Sequence, residues 1–368
     1  MMRLRNAIET GSGFRCGMEN KMALRTGLMG AGWFGREAHL RNLMKIADVE
    51  VTAISTRSDS GQQAAREICG DSLACYSDWR DVINADVDAV IVALTNDQHC
   101  EAAVAALEAG KHVLCEKPLG LSISECRQVI EAAEGAGRIL QIGHEMRHQA
   151  LYQKMKGMVT DGIIGDARIM WCREYRGPMR PGWRSSEALT GGMLLEKNCH
   201  HFDLFNWIFD SPPFRVSAFG GRDVLKDTEL LDNAQVLVEY EGGRRAVLEI
   251  CLFAPSGGDC EVGVLGTAGR INTFNQAIRL EHHRFDPTET TAHAVPDPDD
   301  EAGFRDASGR VDRGIKAELE HFVECCRTGR QPLNDGHAAL SNVAVCLAAQ
   351  QSIATGQVVS IEDVISDR

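Results

Sequence analysis

A chain of 368 residues with 44% hydrophobic and 25% charged content is too long for one simple core and has the composition of an ordinary globular protein, so two domains sharing an interface are expected. Its formal net charge of -13 argues against nucleic-acid and anionic-membrane partners, because an acidic surface attracts neither. No run reaches the roughly 18 apolar residues of a spanning helix. The 13 cysteines are scattered, odd in number and set in apolar runs without a CxxC pair, the pattern of reduced core residues in a cytoplasm.

Residues 1–22 carry basic residues but no apolar centre of a signal peptide and read as a disordered tail. From residue 23 strands and helices alternate: strand "ALRTGLM", helix "GREAHLRNLMKIA", strand "VEVTAIS", helix "GQQAAREIC". Then follow strand "VDAVIVAL", helix "HCEAAVAALEAG", strand "HVLCE", helix "SISECRQVIEAAEGAG" and strand "RILQIG". Nearly continuous apolar strands separated by helices predict a doubly wound parallel sheet, here a dinucleotide-binding domain over residues 23–145.

Between the first strand and helix stands "GAGWFG". Gly30 permits the tight turn, Gly32 lets the backbone approach a pyrophosphate and Gly35 allows the helix to pack close, while the helix N-terminus offers N–H groups and a partial positive charge. The strand before it and the helix after it supply the context that this short pattern requires. Trp33 and Phe34, between the last two glycines, complete the expected phosphate loop. An acid at the end of the second strand selects NAD by taking the ribose hydroxyls; here Thr56 stands in its place, followed by Arg57. A missing carboxylate removes repulsion of a 2′-phosphate, and Ser55, Thr56, Arg57 and Ser58 offer partners for one. NADP is therefore favoured, with NAD as the alternative.

The run over residues 86–125 holds a strand ending in Thr95 and Asn96, then His99, then the triplet Glu116, Lys117 and Pro118. With the glycine loop, these features resemble the glucose-fructose oxidoreductase, inositol dehydrogenase and rhizopine-catabolism (Gfo/Idh/MocA) family, and the resemblance runs from about residue 24 to the C-terminus. It implies a Rossmann domain followed by an α/β domain with a large, open, mainly antiparallel sheet, and it places Thr95, Asn96, His99, Glu116 and Lys117 at the cofactor. Lys117 ends a parallel strand, the edge where ligands of such sheets bind. Partial burial beside a nicotinamide ring is expected to lower its pKa, so that it can hold or pass a hydroxyl proton. In family dehydrogenases the matching lysine is catalytic.

The second domain is expected over residues 146–368, for substrate binding and oligomerisation. Its strand-like runs are "ARIMWCREY", "RVSAFGG", "NAQVLVEY" and "RAVLEICLF", the last two joined by the hairpin "EYEGGRRA". "TETTAHAVPDPDDEAGFRDASG" reads as a polar loop, and glycine-terminated helices follow it, some of which can pack back on the first domain.

Within "LLEKNCHHFDLFNW", a regular helix puts Glu196, His200, Asp203 and Trp207 on one face and Lys197 and His201 on the next. The two histidines then do not act together, the HExxH spacing is absent, and no metal is expected. The family carries an aspartate, a histidine four residues later and an aspartate three after that; Glu196, His200 and Asp203 match. This makes His200 the catalytic partner of Lys117, with Asp203 orienting it or gripping a substrate hydroxyl. Glu196 departs from the family's aspartate and Asn198 from its frequent glycine, which bears on which ring fits.

Arg147, Glu145, Tyr175 and Trp183 are the expected hydrogen-bonding and stacking groups for a small-molecule sugar or polyol, along with Glu196 and Asp203. The expected activity is NADP(H)-dependent hydride transfer at a secondary alcohol, by a homodimer or homotetramer. Glycoside cleavage or elimination through transient oxidation is an alternative, and so is a non-catalytic nucleotide sensor.

Overall fold

The computed structural model describes residues 23–254, 259–274, 277–294 and 314–366. The tail expected over residues 1–22 lies outside them, as does the part of the expected polar loop beyond Ala294.

Six parallel strands, β1 (Leu24–Met29), β2 (Val49–Ser55), β3 (Ala74–Tyr76), β4 (Ala89–Val92), β5 (His112–Glu116) and β6 (Leu140–Gly143), form one sheet in the order β3-β2-β1-β4-β5-β6. Every residue of β4 and four of the five in β5 are buried, as expected of strands covered on both faces by helices. The strand order reverses between β1 and β4, and the carboxyl ends of strands at such a switch point bound the ligand crevice. The first helix is shorter than its 13-residue pattern suggests. A π-turn over Gly35–Leu40 leads into Arg41–Leu43, and Asn42 Nδ2 donates to the Ala38 carbonyl at 2.7 Å, a side-chain bond of the kind that competes with the helix ladder.

The second sheet contains β7 (Ala167–Tyr175), β8 (Pro213–Gly221), β9 (Asn233–Tyr240), β10 (Arg245–Cys251), β11 (Asp259–Gly266), β12 (Gly269–Phe274), β13 (Ala277–Phe285), β14 (Thr288–Ala294) and β15 (Val359–Ser360). Their order is β14-β13-β12-β11-β7-β10-β9-β8-β15, with β7 and β10 parallel and the other pairs antiparallel. The start of the expected polar loop, Thr288–Ala294, is thus a strand: it completes a hairpin with β13, which satisfies backbone groups that its polar side chains gave no reason to expect there. On β9, Ala234, Val236, Val238 and Tyr240 are buried beneath helices, while Leu237 faces outward with Ile169, Phe219 and Val247. That alternation leaves an apolar outer face on the open sheet.

The helix Cys199–Phe209 packs on β7, and Gly336–Thr355 packs on β8. Gly336–Thr355 also meets the helix Ile123–Ala136 and β6, while Ile315–Thr328 lies against the π-turn and helix that follow β1. Both therefore tie the second half of the chain to the first sheet. At this junction His148 faces Asn334 Oδ1 at 3.3 Å and the His321 ring at 5.3 Å. Burial, above all, pushes its pKa down to about 4. A histidine that charges more readily unfolded than folded contributes stability above the unfolded pKa of about 6.5, lost as pH falls toward the folded value. Melting temperature should fall between pH 6.5 and 4, and His148→Gln should flatten that part of the profile; an unchanged slope would remove His148 as its source.

Candidate active site

The glycine loop divides its labour as its spacing suggests. Gly30 has φ +93°, and a Cβ there would meet the Ala93 carbonyl oxygen at 2.4 Å; one at Gly35 would meet the Gly30 carbonyl oxygen at 2.3 Å. These two glycines are required by the turn and by close packing. A Cβ at Gly32 would meet nothing within 4 Å. The space before it, at the start of a helix and the switch point of the sheet, fits a dinucleotide's pyrophosphate. Trp33 is half exposed and lies 5.5 Å from the Arg180 guanidinium, so a loop of the second domain crosses the rim of this cradle. Phe34 packs edge-on against His39 at 5.5 Å.

At the end of β2 two of the four offered groups are already engaged. Ser55 Oγ accepts from the Gly30 N–H at 3.1 Å, and Ser58 Oγ caps the helix Asp59–Cys69 by accepting from the Gly61 N–H at 3.1 Å. Thr56 is half-buried and Arg57 is exposed.

Thr95 and Asn96 follow β4, and Lys117 follows β5 through a cis bond to Pro118. The Asn96 amide donates to Glu196 Oε2 at 2.8 Å and to the Thr190 carbonyl at 3.2 Å. Thr95 Oγ1 accepts from Gln98 at 2.9 Å. His99 is buried, with Nδ1 2.7 Å from the Pro118 carbonyl and Nε2 3.3 Å from that of Leu94. It braces the turns that present Thr95 and Lys117 and does not itself face the crevice. Glu116 is held by a residue with no signal in the sequence, His39, at 2.8 Å.

The Lys117 ammonium donates to the Glu196 carbonyl at 2.7 Å and lies 3.8 Å from the Glu196 carboxylate. Its pKa moves opposite to expectation. Burial lowers it, but Glu196, Glu116 and Glu145 together raise it further, so the net shift is upward. The Glu196 carboxyl, although buried, is held below its usual range by Lys117, Lys197, Asn96 and Arg184; Arg184 Nε stands 3.4 Å from Oε1. The neighbouring Lys197, which its sequence position marks only as sharing a face with His201, is also perturbed. Burial first, and then Arg176, pull its pKa down to about 7.

The stretch carrying the histidines is not one regular helix. A π-turn over Leu194–Asn198 precedes the α-helix Cys199–Phe209, so Glu196 and His200 straddle a break of the kind often found at functional sites. His200 Nδ1 lies 3.2 Å from Glu145 Oε2, and the His144 ring stands edge-on to it at 5.9 Å. His201 turns instead toward Asn198, with Nδ1 3.3 Å from its amide. The two histidines thus have separate partners. Asp203 does not orient His200: Arg147 grips both its oxygens at 2.7 Å, and Asn342 donates to it at 3.3 Å. Arg147 also donates to the Leu333 carbonyl at 2.6 Å, so this pair is a buried brace behind the site. The orienting carboxylate is Glu145, two residues before Arg147.

Tyr175 is not brought to the site. Side chains alternate along β7, and Tyr175 shares the outer face with Arg173, whose guanidinium lies 5.9 Å from its ring, whereas Glu174 points inward, 3.9 Å from His201. Trp183 is half-buried, with the Arg184 guanidinium 4.5 Å from its ring; through Arg184 it borders Glu196.

A nucleotide cradle at one sheet's switch point, with a lysine, a histidine and three carboxylates between it and a second open sheet, defines a two-domain oxidoreductase. Two family models match the chain: "Oxidoreductase family, NAD-binding Rossmann fold" over residues 24–144 and "Oxidoreductase family, C-terminal alpha/beta domain" over residues 156–361. The chain belongs to the Gfo/Idh/MocA family of NAD(P)-binding oxidoreductases acting on CH–OH groups. It is 32% identical to the inositol 2-dehydrogenase of Salmonella typhimurium over 251 residues, 67% of this chain and 73% of that one. It is 29% identical to the myo-inositol 2-dehydrogenase of Thermotoga maritima over 351 residues, 93% of this chain and 100% of that one. The crystal structure of a probable dehydrogenase from Thermotoga maritima superposes with a TM-score of 0.79 at 26% identity, covering 93% of this chain and 100% of that one. No helix among the described residues is long and apolar enough to cross a membrane, and no disulfide joins the described cysteines.

Proposed function

We propose that this enzyme transfers a hydride between NADP(H) and a secondary alcohol or ketone of an inositol, sugar or related polyol, with Lys117 and His200 handling the hydroxyl proton. The single observation that carries this reading is the approach of Lys117, from the end of β5, to Glu196, four residues before His200 in the second domain. The nicotinamide cofactor supplies the hydride donor or acceptor, held by Gly30, Gly32 and Gly35 with Trp33 and Phe34, and by Thr56, Arg57 and Thr95 at its flanks. Asn96, His99 and Glu116 hold the shape of the turns around it.

The raised pKa of Lys117 keeps it as the ammonium, a hydrogen-bond donor in place to polarise a carbonyl undergoing reduction and to supply its proton as negative charge develops on the oxygen. In the oxidising direction, the positive charge of the oxidised ring opposes that shift and favours release of the lysine proton. His200, set by Glu145 at 3.2 Å, takes or returns the hydroxyl proton. Arg184, Trp183 and Glu196 border the substrate. Glu196, longer than the family's aspartate, reaches Asn96 and Arg184 with its carboxylate and so narrows the space for a ring. The apolar outer face of the second sheet suits a homodimer or homotetramer, which static light scattering on the purified protein measures directly.

The test of function is a screen of inositols, aldoses and polyols for reduction of NADP+ and NAD+. Turnover with at least one of them, and NADP+ preferred, is the expected result; cleaved or dehydrated products with no net cofactor reduction would replace it with the transient-oxidation alternative. Cofactor choice has its own readout. Thr56→Asp should shift binding toward NAD by placing a carboxylate against the 2′-phosphate. Equal or tighter binding of NAD by the unaltered protein sinks the NADP assignment.

A further inference from the structure

Behind His200, where its helix meets β7 and β11, two thiols and an imidazole converge. Cys172 Sγ, Cys260 Sγ and a His201 ring nitrogen all lie within 4.8 Å of one another. The nitrogen turned to the thiols is Nε2, 3.9 Å from Cys260 Sγ, while Nδ1 faces the Asn198 amide at 3.3 Å and the Glu174 carboxylate at 3.9 Å. Cys172 and His201 are 1% and 5% exposed, and Cys260 is half-buried.

Strand register decides what the two thiols can do together. Cys172 stands opposite Val262 and Cys260 opposite Glu174, so the cysteines are diagonal neighbours on one face. Diagonal positions lie about 7–8 Å apart, beyond the roughly 4.4–6.8 Å Cα span that a disulfide closes. A cation about 2.3 Å from each sulfur bridges what a direct bond does not. We propose that Cys172, Cys260 and His201 hold a soft divalent cation, zinc, behind the catalytic helix.

Three features of the cluster suit that ion. Two thiolates and a neutral imidazole select zinc over magnesium or calcium, which take oxygen ligands. In a tetrahedral site the ligand atoms stand about 3.5–3.8 Å apart, so the cluster closes by about 1 Å through side-chain rotation. The second nitrogen of His201 stands 3.9 Å from the Glu174 carboxylate, and closing that gap by about 1 Å would make the contact that fixes the ring and tautomer of metal-bound histidines. Water completes the fourth position. The ion would clamp His201, and with it the start of the helix that carries His200, to two strands of the second sheet. No spacing motif marks the site, because its ligands are separated by 29 and 59 positions, Cys172 to His201 and His201 to Cys260. The site depends neither on the reaction proposed above nor on its cofactor.

The test is a titration of metal-stripped full-length protein with Co(II), followed by Zn(II). One Co(II) per chain should bring up a thiolate-to-cobalt charge-transfer band in the near ultraviolet, and one equivalent of zinc should erase it. Cys260→Ser, at the half-buried position, and Cys172→Ser should each abolish the band in protein whose circular dichroism matches the unaltered chain. Glu174→Gln should keep the band and weaken zinc binding by about 10–100-fold. Cys325→Ser is the control, since Cys325 Sγ lies 3.6 Å from His321 Nε2 elsewhere in the fold; it should leave the band intact. No band in the unaltered protein, or a band that survives Cys260→Ser at full intensity, overturns the proposal.

Discussion

Lys117→Ala and His200→Ala should each lower kcat by roughly 10² or more, the usual scale of general acid-base help, with cofactor affinity nearly unchanged. Lys117→Arg should be no rescue, because a guanidinium keeps the charge but does not release a proton. His201→Ala should be milder. Its ring faces Asn198 and Glu174, whereas His200 faces Glu145. The comparison of the two adjacent histidines in steady-state kinetics is the sharpest reading of the site. If the His201 variant loses turnover while the His200 variant keeps it, the pairing of Lys117 with His200 must be abandoned.

The largest stability effect should come from Arg147. Its guanidinium holds both oxygens of Asp203, which is 1% exposed. Arg147→Met leaves that carboxylate buried without its cation, and breaking a buried pair from one side costs about 3–5 kcal/mol. Asp203→Asn added to Arg147→Met should recover much of the loss, since it removes the stranded charge. The pH dependence gives a second reading. In the unaltered protein burial raises the Asp203 pKa, but Arg147 and His144 lower it further, so its contribution is lost as pH falls. In Arg147→Met burial dominates, the folded pKa rises above the unfolded one, and the variant should gain stability relative to its parent as pH falls. Equal stability of parent and variant in urea unfolding at neutral pH would show that the pair is not the brace described here.

Both predictions depend on how much of the molecule one-dimensional pattern conveys. The alternation of apolar runs and helical segments, the glycine spacing and the Glu116-Lys117-Pro118 triplet were enough for the first sheet and its nucleotide cradle, because parallel strands buried on both faces and a phosphate turn are local demands on side-chain type and backbone conformation. The same periodicity extends a helix through residues 35–47 and makes 196–207 regular, whereas the structure has π-turns at Gly35–Leu40 and Leu194–Asn198. Helical periodicity does not show an inserted residue per turn, since that depends on what the side chains meet across the interface.

What only the tertiary structure decided is which polar groups are already taken. Ser55 and Ser58 serve the glycine loop and a helix cap, His99 braces two turns, Asp203 answers Arg147, and Tyr175 points to the outer face. His39, Glu145 and Lys197 gain their places from partners far away in the chain. By itself the sequence determined the nucleotide cradle, and through its family resemblance it named the candidate pair Lys117 and His200. The sign of the Lys117 pKa shift required the fold: burial alone lowers it, and Glu196, Cys199, Glu116 and Glu145, brought together from separate elements, outweigh that penalty.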